Sequence, residues 1–93
     1  MKIYQNYPNP FNPTTKIAFS LGNPSQVSVK VYNVLGQEIA TLLNNEPMEA
    51  GYNSFGFDAH ALSSGVYFYV VSGQDLVSGN ELPRSIGKML LVK

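Results

Sequence analysis

His60 is the one histidine of the chain, and Asp58 stands two residues before it. An imidazole beside a carboxylate can serve general-base chemistry, but that chemistry also needs a nucleophile and an orienting partner. A two-residue spacing in a polar stretch supplies neither, so His60 reads as an exposed loop residue. The six acids, Glu38, Glu46, Glu49, Asp58, Asp75 and Glu81, stand singly. A calcium loop needs several oxygens converging within about a dozen residues, and no run here provides them. There is no cysteine, which excludes disulfides and thiolate metal centres. Gly22, Gly36, Gly51 and Gly65 do not precede a helix at the spacing of a phosphate-binding loop. The residues therefore assign no catalytic, cofactor-binding or metal site, and the chain reads as a non-enzyme.

Binding chemistry has two further sources. Six tyrosines and five phenylalanines could stack on sugars. Most of them fall at alternating strand positions, which favours core and inter-sheet packing. Tyr67 has a second option, tying down a neighbouring loop through its hydroxyl as corner tyrosines do in sandwiches. Net charge is zero and only 13% of residues are charged, about half the usual share. That removes the electrostatic footprint of a nucleic-acid or anionic-membrane binder. No apolar run approaches the ~20 residues of a membrane-spanning helix, and no secretory signal follows Met1-Lys2. Met1 reads as a start placed before a domain excised from a larger secreted protein.

The elements that would position these residues are strands. Ninety-three residues with 44% hydrophobic content fit one folded domain, 1–93. In the run Pro8-Asn9-Pro10-Phe11-Asn12-Pro13, the prolines lack an N–H and bias the asparagines toward extended backbone. It reads as an ordered loop, with asparagine side chains bonding nearby backbone and Phe11 turned into the core. Thr15–Leu21 alternates with Ile17, Phe19 and Leu21 inward, and Val27, Val29 and Val31 mark a second half-buried strand. Gly36 suits a turn needing positive φ. Glu38–Leu43 reads as a strand, Asn44–Pro47 as a loop and Gly51–Asp58 as a strand with Asn53, Phe55 and Phe57 on one face. Asp58 to Gly65 reads as a crossover of at most one helical turn, capped by Asp58 and plugged by Leu62. Val66–Ser72 is β-prone with Tyr67, Tyr69 and Val71 inward. Residues 73–84 read as a long hairpin loop before a last strand, Ser85–Val92. The expected fold is all-β, an antiparallel immunoglobulin-like two-sheet sandwich of about seven strands.

The chain resembles the C-terminal sorting domain, type A, of proteins exported by the type IX secretion system. That family is itself similar to the immunoglobulin-like domain of the flagellar hook-capping protein. The carrying residues are Gln5-Asn6-Tyr7-Pro8-Asn9-Pro10-Phe11-Asn12-Pro13-Thr14-Thr15, Val31 to Leu42, Ala50-Gly51, Phe57-Asp58-Ala59, Ser64-Gly65-Val66-Tyr67-Phe68-Tyr69 and Lys88-Met89-Leu90-Leu91-Val92-Lys93. Two departures stand out: residues 73–84 make a longer hairpin, and Val70 replaces a commonly basic residue. The resemblance implies a domain that carries an N-terminal cargo from the periplasm through the outer-membrane translocon to the cell surface or medium. It implies a shuttle protein and a sortase-like peptidase as partners, and Lys88 through Lys93 as the recognised signal. Pro8 to Pro13, Gly36, Gly65 and Tyr67 are then structural. If the terminal strand lies at a sheet edge, its unpaired side suits reading by strand addition, with Lys88 and Lys93 adding charge selection. The competing reading is a structural spacer or a carbohydrate-binding accessory sandwich, which a solvent-facing aromatic patch would favour.

Overall fold

The computed structural model describes residues 1–93, and all of its regular structure is strand. The strands are β1 (Lys2–Ile3), β2 (Thr14–Leu21), β3 (Ser25–Tyr32), β4 (Glu38–Met48), β5 (Gly51–Asp58), β6 (Gly65–Asp75) and β7 (Ser85–Leu91). They form two antiparallel sheets, β1-β2-β5 and β4-β3-β6-β7. This is the expected sandwich, and period-two patterning explains it. Ile17, Phe19 and Leu21 of β2 face Val27, Val29 and Val31 of β3 and Tyr67, Tyr69 and Val71 of β6 in one buried cluster. β7 adds Met89 and Leu91 to that cluster, and β5 adds Phe57.

Several local expectations change. The seventh strand is β1, a two-residue piece pairing Lys2 with Ser20 and Ile3 with Phe19. Asn44–Pro47 is not a loop: β4 continues to Met48 through a bulge, where Asn45 takes φ +50° and its amide donates to Ser28 Oγ at 2.9 Å. Turn-type residues allowed the strand to bend here because β3 still offered partners on either side of the bulge. β6 likewise runs on to Asp75, so the hairpin excursion is shorter than 73–84. Asp75 organises it, its Oδ1 accepting from the amides of Val77 at 2.8 Å and Ser78 at 3.0 Å. The Asp58 to Gly65 crossover holds one turn, Leu62 N–H to Ala59 O at 2.9 Å, and no helix.

Gly36, at φ +79°, closes the β3–β4 turn. Asn33 Oδ1 there accepts from the amides of Leu35 and Gln37, each at 3.0 Å. Gly65 opens β6 opposite Leu91. Tyr67 is buried in the core and also donates its hydroxyl to Ser63 O at 2.6 Å, so both readings of that tyrosine apply. Gly87 has a different reason to be glycine. A Cβ there would lie 2.1 Å from Cζ of Tyr69. The Tyr69 ring passes under β7 to donate its hydroxyl to Tyr4 O at 2.8 Å, joining the two sheets. Burial pushes the Tyr69 phenol up from 10.0, although a backbone hydrogen bond from Asn6 acts the other way.

Candidate functional site

The segment from Gln5 to Pro13 is largely exposed and bridges the two sheets, pairing with β2 at Tyr7 and with β7 at Phe11. Tyr7 exchanges two backbone hydrogen bonds with Lys16 of β2, at 3.1 and 2.9 Å. Phe11 pairs in the parallel sense beside Leu91: its N–H donates to Leu90 O and its C=O accepts from Val92 N–H, both at 2.9 Å. Pro8, Pro10 and Pro13 occupy the intervening positions, where no donor is needed. The Phe11 ring is 2% exposed and packs near Phe57 with centroids 6.4 Å apart. Asn6 is fully buried and donates to Thr15 Oγ1 at 3.1 Å and Pro8 O at 3.3 Å. Thr15 Oγ1 also donates to Pro8 O at 2.9 Å.

Asn9 does something the sequence did not disclose. Its side-chain amide mimics a strand residue against β7, accepting from Leu90 N–H at 2.9 Å and donating to Lys88 O at 3.3 Å. Gln5 Nε2 donates to the same Lys88 carbonyl at 3.1 Å. The bonds of Asn9 therefore go to backbone about eighty positions away, not to nearby backbone. Long-range pairing of this kind leaves no trace in local spacing.

This changes the account of the terminal strand. β7 is the edge of the four-stranded sheet. Its outer backbone, however, is already engaged at Lys88, Leu90 and Val92 by Gln5, Asn9 and Phe11. The open edge suited to strand addition is absent over that stretch. Within Lys88 to Lys93, Met89 and Leu91 are core residues at 0% and 1% exposure, whereas Lys88, Leu90, Val92 and Lys93 are exposed. Lys93 is tethered: its N–H donates to Ser64 Oγ at 3.0 Å and its Nζ to the His60 carbonyl. Lys88 makes no ion pair.

His60 sits on the loop that holds Lys93. Its Nδ1 lies 3.3 Å from Asp58 Oδ1, and the same oxygen accepts from His60 N–H at 3.0 Å. That backbone bond is the main cause holding the Asp58 carboxyl below 3.8, opposed by desolvation, with the His60 ring and Lys93 assisting. The pair is solvent-exposed and serves as a loop cap. No group of three or more His, Cys, Asp or Glu side chains converges anywhere in the fold.

The outer faces of the sheets carry what the sequence reading passed over. Tyr7 and Tyr52 on the three-stranded side are 80% and 66% exposed, and Tyr52 packs at a tilt on Tyr4 with centroids 5.6 Å apart. On the four-stranded side, Ile86 and Leu90 of β7 point away from the core. Strict alternation through Met89 and Leu91 was the signal that could have placed them there.

The family described as the secretion system C-terminal sorting domain matches residues 5–81. The match begins with the Gln5 to Pro13 segment, runs through β6 and stops short of β7. Sorting domains of this family are not known to be catalytic. No curated protein matches the chain.

Proposed function

The chain belongs to the family of secretion system C-terminal sorting domains, those of type IX secretion, and from that premise we propose that it is the address by which an attached cargo crosses the outer membrane. The 93 residues form one sorting unit on the C-terminal side of a larger secreted protein. The type IX translocon, its shuttle protein and a sortase-like peptidase are the partners, and the cell surface or medium is the destination. Lys88 to Lys93 is the recognised stretch, and the sandwich is an inert body that holds it in one geometry.

The observation that carries this reading is the way the fold fixes its last strand. Met89 and Leu91 anchor it in the core, Gln5, Asn9 and Phe11 hold its outer backbone, and Ser64 and His60 hold Lys93. Lys88, Leu90 and Val92 are thereby presented in a fixed register. Deleting the six residues would remove two core side chains, so loss of export on deletion could reflect loss of the fold. Point variants separate the two. Lys88→Ala with Lys93→Ala, in a reporter fused ahead of the chain in a host with type IX secretion, is expected to retain the reporter in the periplasm. Its melting temperature is expected to stay near wild type, since exposed lysines usually contribute less than ~0.5 kcal/mol. Full export of the double variant contradicts the assignment of the two lysines.

One observation favours the accessory saccharide-binding reading: the exposed Tyr7 and Tyr52 on the three-stranded side. Affinity electrophoresis in polysaccharide gels tests it. Retardation lost on Tyr7→Ala and Tyr52→Ala supports it, and mobility unaffected by any polysaccharide rejects it.

A further inference from the structure

The outer edge of β7 is closed over Lys88 to Val92, but its outer face is open. Cross-strand register places three rows side by side on that face. They are Tyr32–Phe68–Lys88, Lys30–Val70–Ile86 and Val66–Leu90. Ile86 is 63% exposed and Leu90 38%, Tyr32 and Phe68 are half-buried, and Val70 is buried at 8%. A shallow groove of about 370 Å³ lies among Tyr32, Val34, Phe68, Val70 and Ile86, with Arg84 on its rim. Apolar side chains gathered on one face of a small domain, rather than scattered singly, mark a contact surface.

The charges on this face are unbalanced. Glu38, opposite Tyr32, is already engaged with Lys30 at 3.5 Å. Arg84 and Lys88 have no ion-pair partner. The face therefore presents an apolar strip bordered by two free cations, and it is continuous with the terminal strand. A partner fits it by seating an apolar ridge along the groove and placing carboxylates over Arg84 and Lys88. Backbone pairing at the edge would first require Asn9, Gln5 and Phe11 to let go. Docking on the face requires no rearrangement.

Resting on the sorting reading above, we infer that the export receptor docks on the outer face of β3, β6 and β7, through Tyr32, Phe68, Ile86, Arg84 and Lys88, and does not add a strand to the edge of β7. The partner is a protein surface with an apolar ridge flanked by carboxylates.

The test uses a periplasmic reporter fused ahead of the full chain in a host with type IX secretion. Ile86→Glu and Arg84→Glu both alter exposed side chains. Their melting temperatures are expected within about 4 °C of wild type. Each is expected to lower the exported fraction at least about tenfold, since each sets a carboxylate against the apolar ridge or the carboxylates of the partner. Arg84→Lys is expected to restore most of the export. If Ile86→Glu fails to fold, the Arg84 pair of variants decides alone. The same reporter without the 93 residues separates the two claims. Export without them overturns the sorting reading and this inference with it. Retention without them, with Ile86→Glu and Arg84→Glu both exported like wild type, overturns the inference alone. Sedimentation of the chain with anionic phospholipid vesicles, lost in the same variants, overturns it in favour of a lipid contact.

Discussion

Phe11 acts through both its side chain and its backbone. The ring fills the space beside Phe57, while the peptide groups on either side hold Leu90 and Val92. Removing the ring leaves a cavity that the surrounding strands close only in part. Phe11→Ala is expected to cost about 3–5 kcal/mol. Against a typical total stability of about 5–15 kcal/mol, that is a large fraction. Denaturant melts measure it, and a loss under about 1 kcal/mol would contradict burial of the ring. Asn9 allows a cleaner test, because it contributes no core volume. Asn9→Ala removes the partner of the Leu90 amide. Hydrogen exchange at Leu90 is expected to accelerate markedly while core amides of β3 and β6 stay protected. Unchanged exchange at Leu90 would mean that the side chain does not cover the strand edge. Phe11 as a core residue was legible, since it is the one large apolar side chain between Tyr7 and Ile17. Asn9 against β7 was not, because Asn–Pro spacing speaks only of local turns.

At the scale of elements, alternation identified six of the seven strands and the inward faces of β2, β3 and β6. It stopped β4 early at Asn44-Asn45-Glu46-Pro47, since these residues are common in turns. A bulge reconciles them with a strand, and bulges depend on the neighbouring strand rather than on the sequence of the bulge itself. The β6–β7 hairpin shows the same dependence on particular side chains. Asp75 is held below 3.8, chiefly by the Ser78 amide and next by the Asn23 side-chain amide, which donates at 2.9 Å; desolvation opposes them. A carboxyl depressed in the folded state binds its proton less readily there than in the unfolded chain. Its contribution is therefore full above the unfolded pKa and is lost as pH falls through the lowered folded value. Asp75→Asn is expected to flatten the decline of stability with acid below pH 3.8. Melting temperatures of both proteins across the acid range check this. Parallel declines would assign the acid sensitivity to other groups.

For the whole molecule, the two-sheet antiparallel sandwich was legible from composition and patterning. The packing of one end of the chain on the other was not. The Gln5 to Pro13 segment and β7 lie about eighty positions apart, and only the closed sandwich brings them together. That closure gives the domain its proposed character: the stretch that is read is anchored in the core by Met89 and Leu91, and the face beside it stays open. A signal of this kind works only when folded, so variants that unfold the domain are expected to lose export whatever residue they touch. The most direct measurement of the sorting claim is the fraction of a periplasmic reporter that reaches the outside of a cell with type IX secretion, with and without these 93 residues at its C-terminal end. The account predicts export only when the domain is present and folded. Equal amounts outside the cell with and without the domain would contradict it.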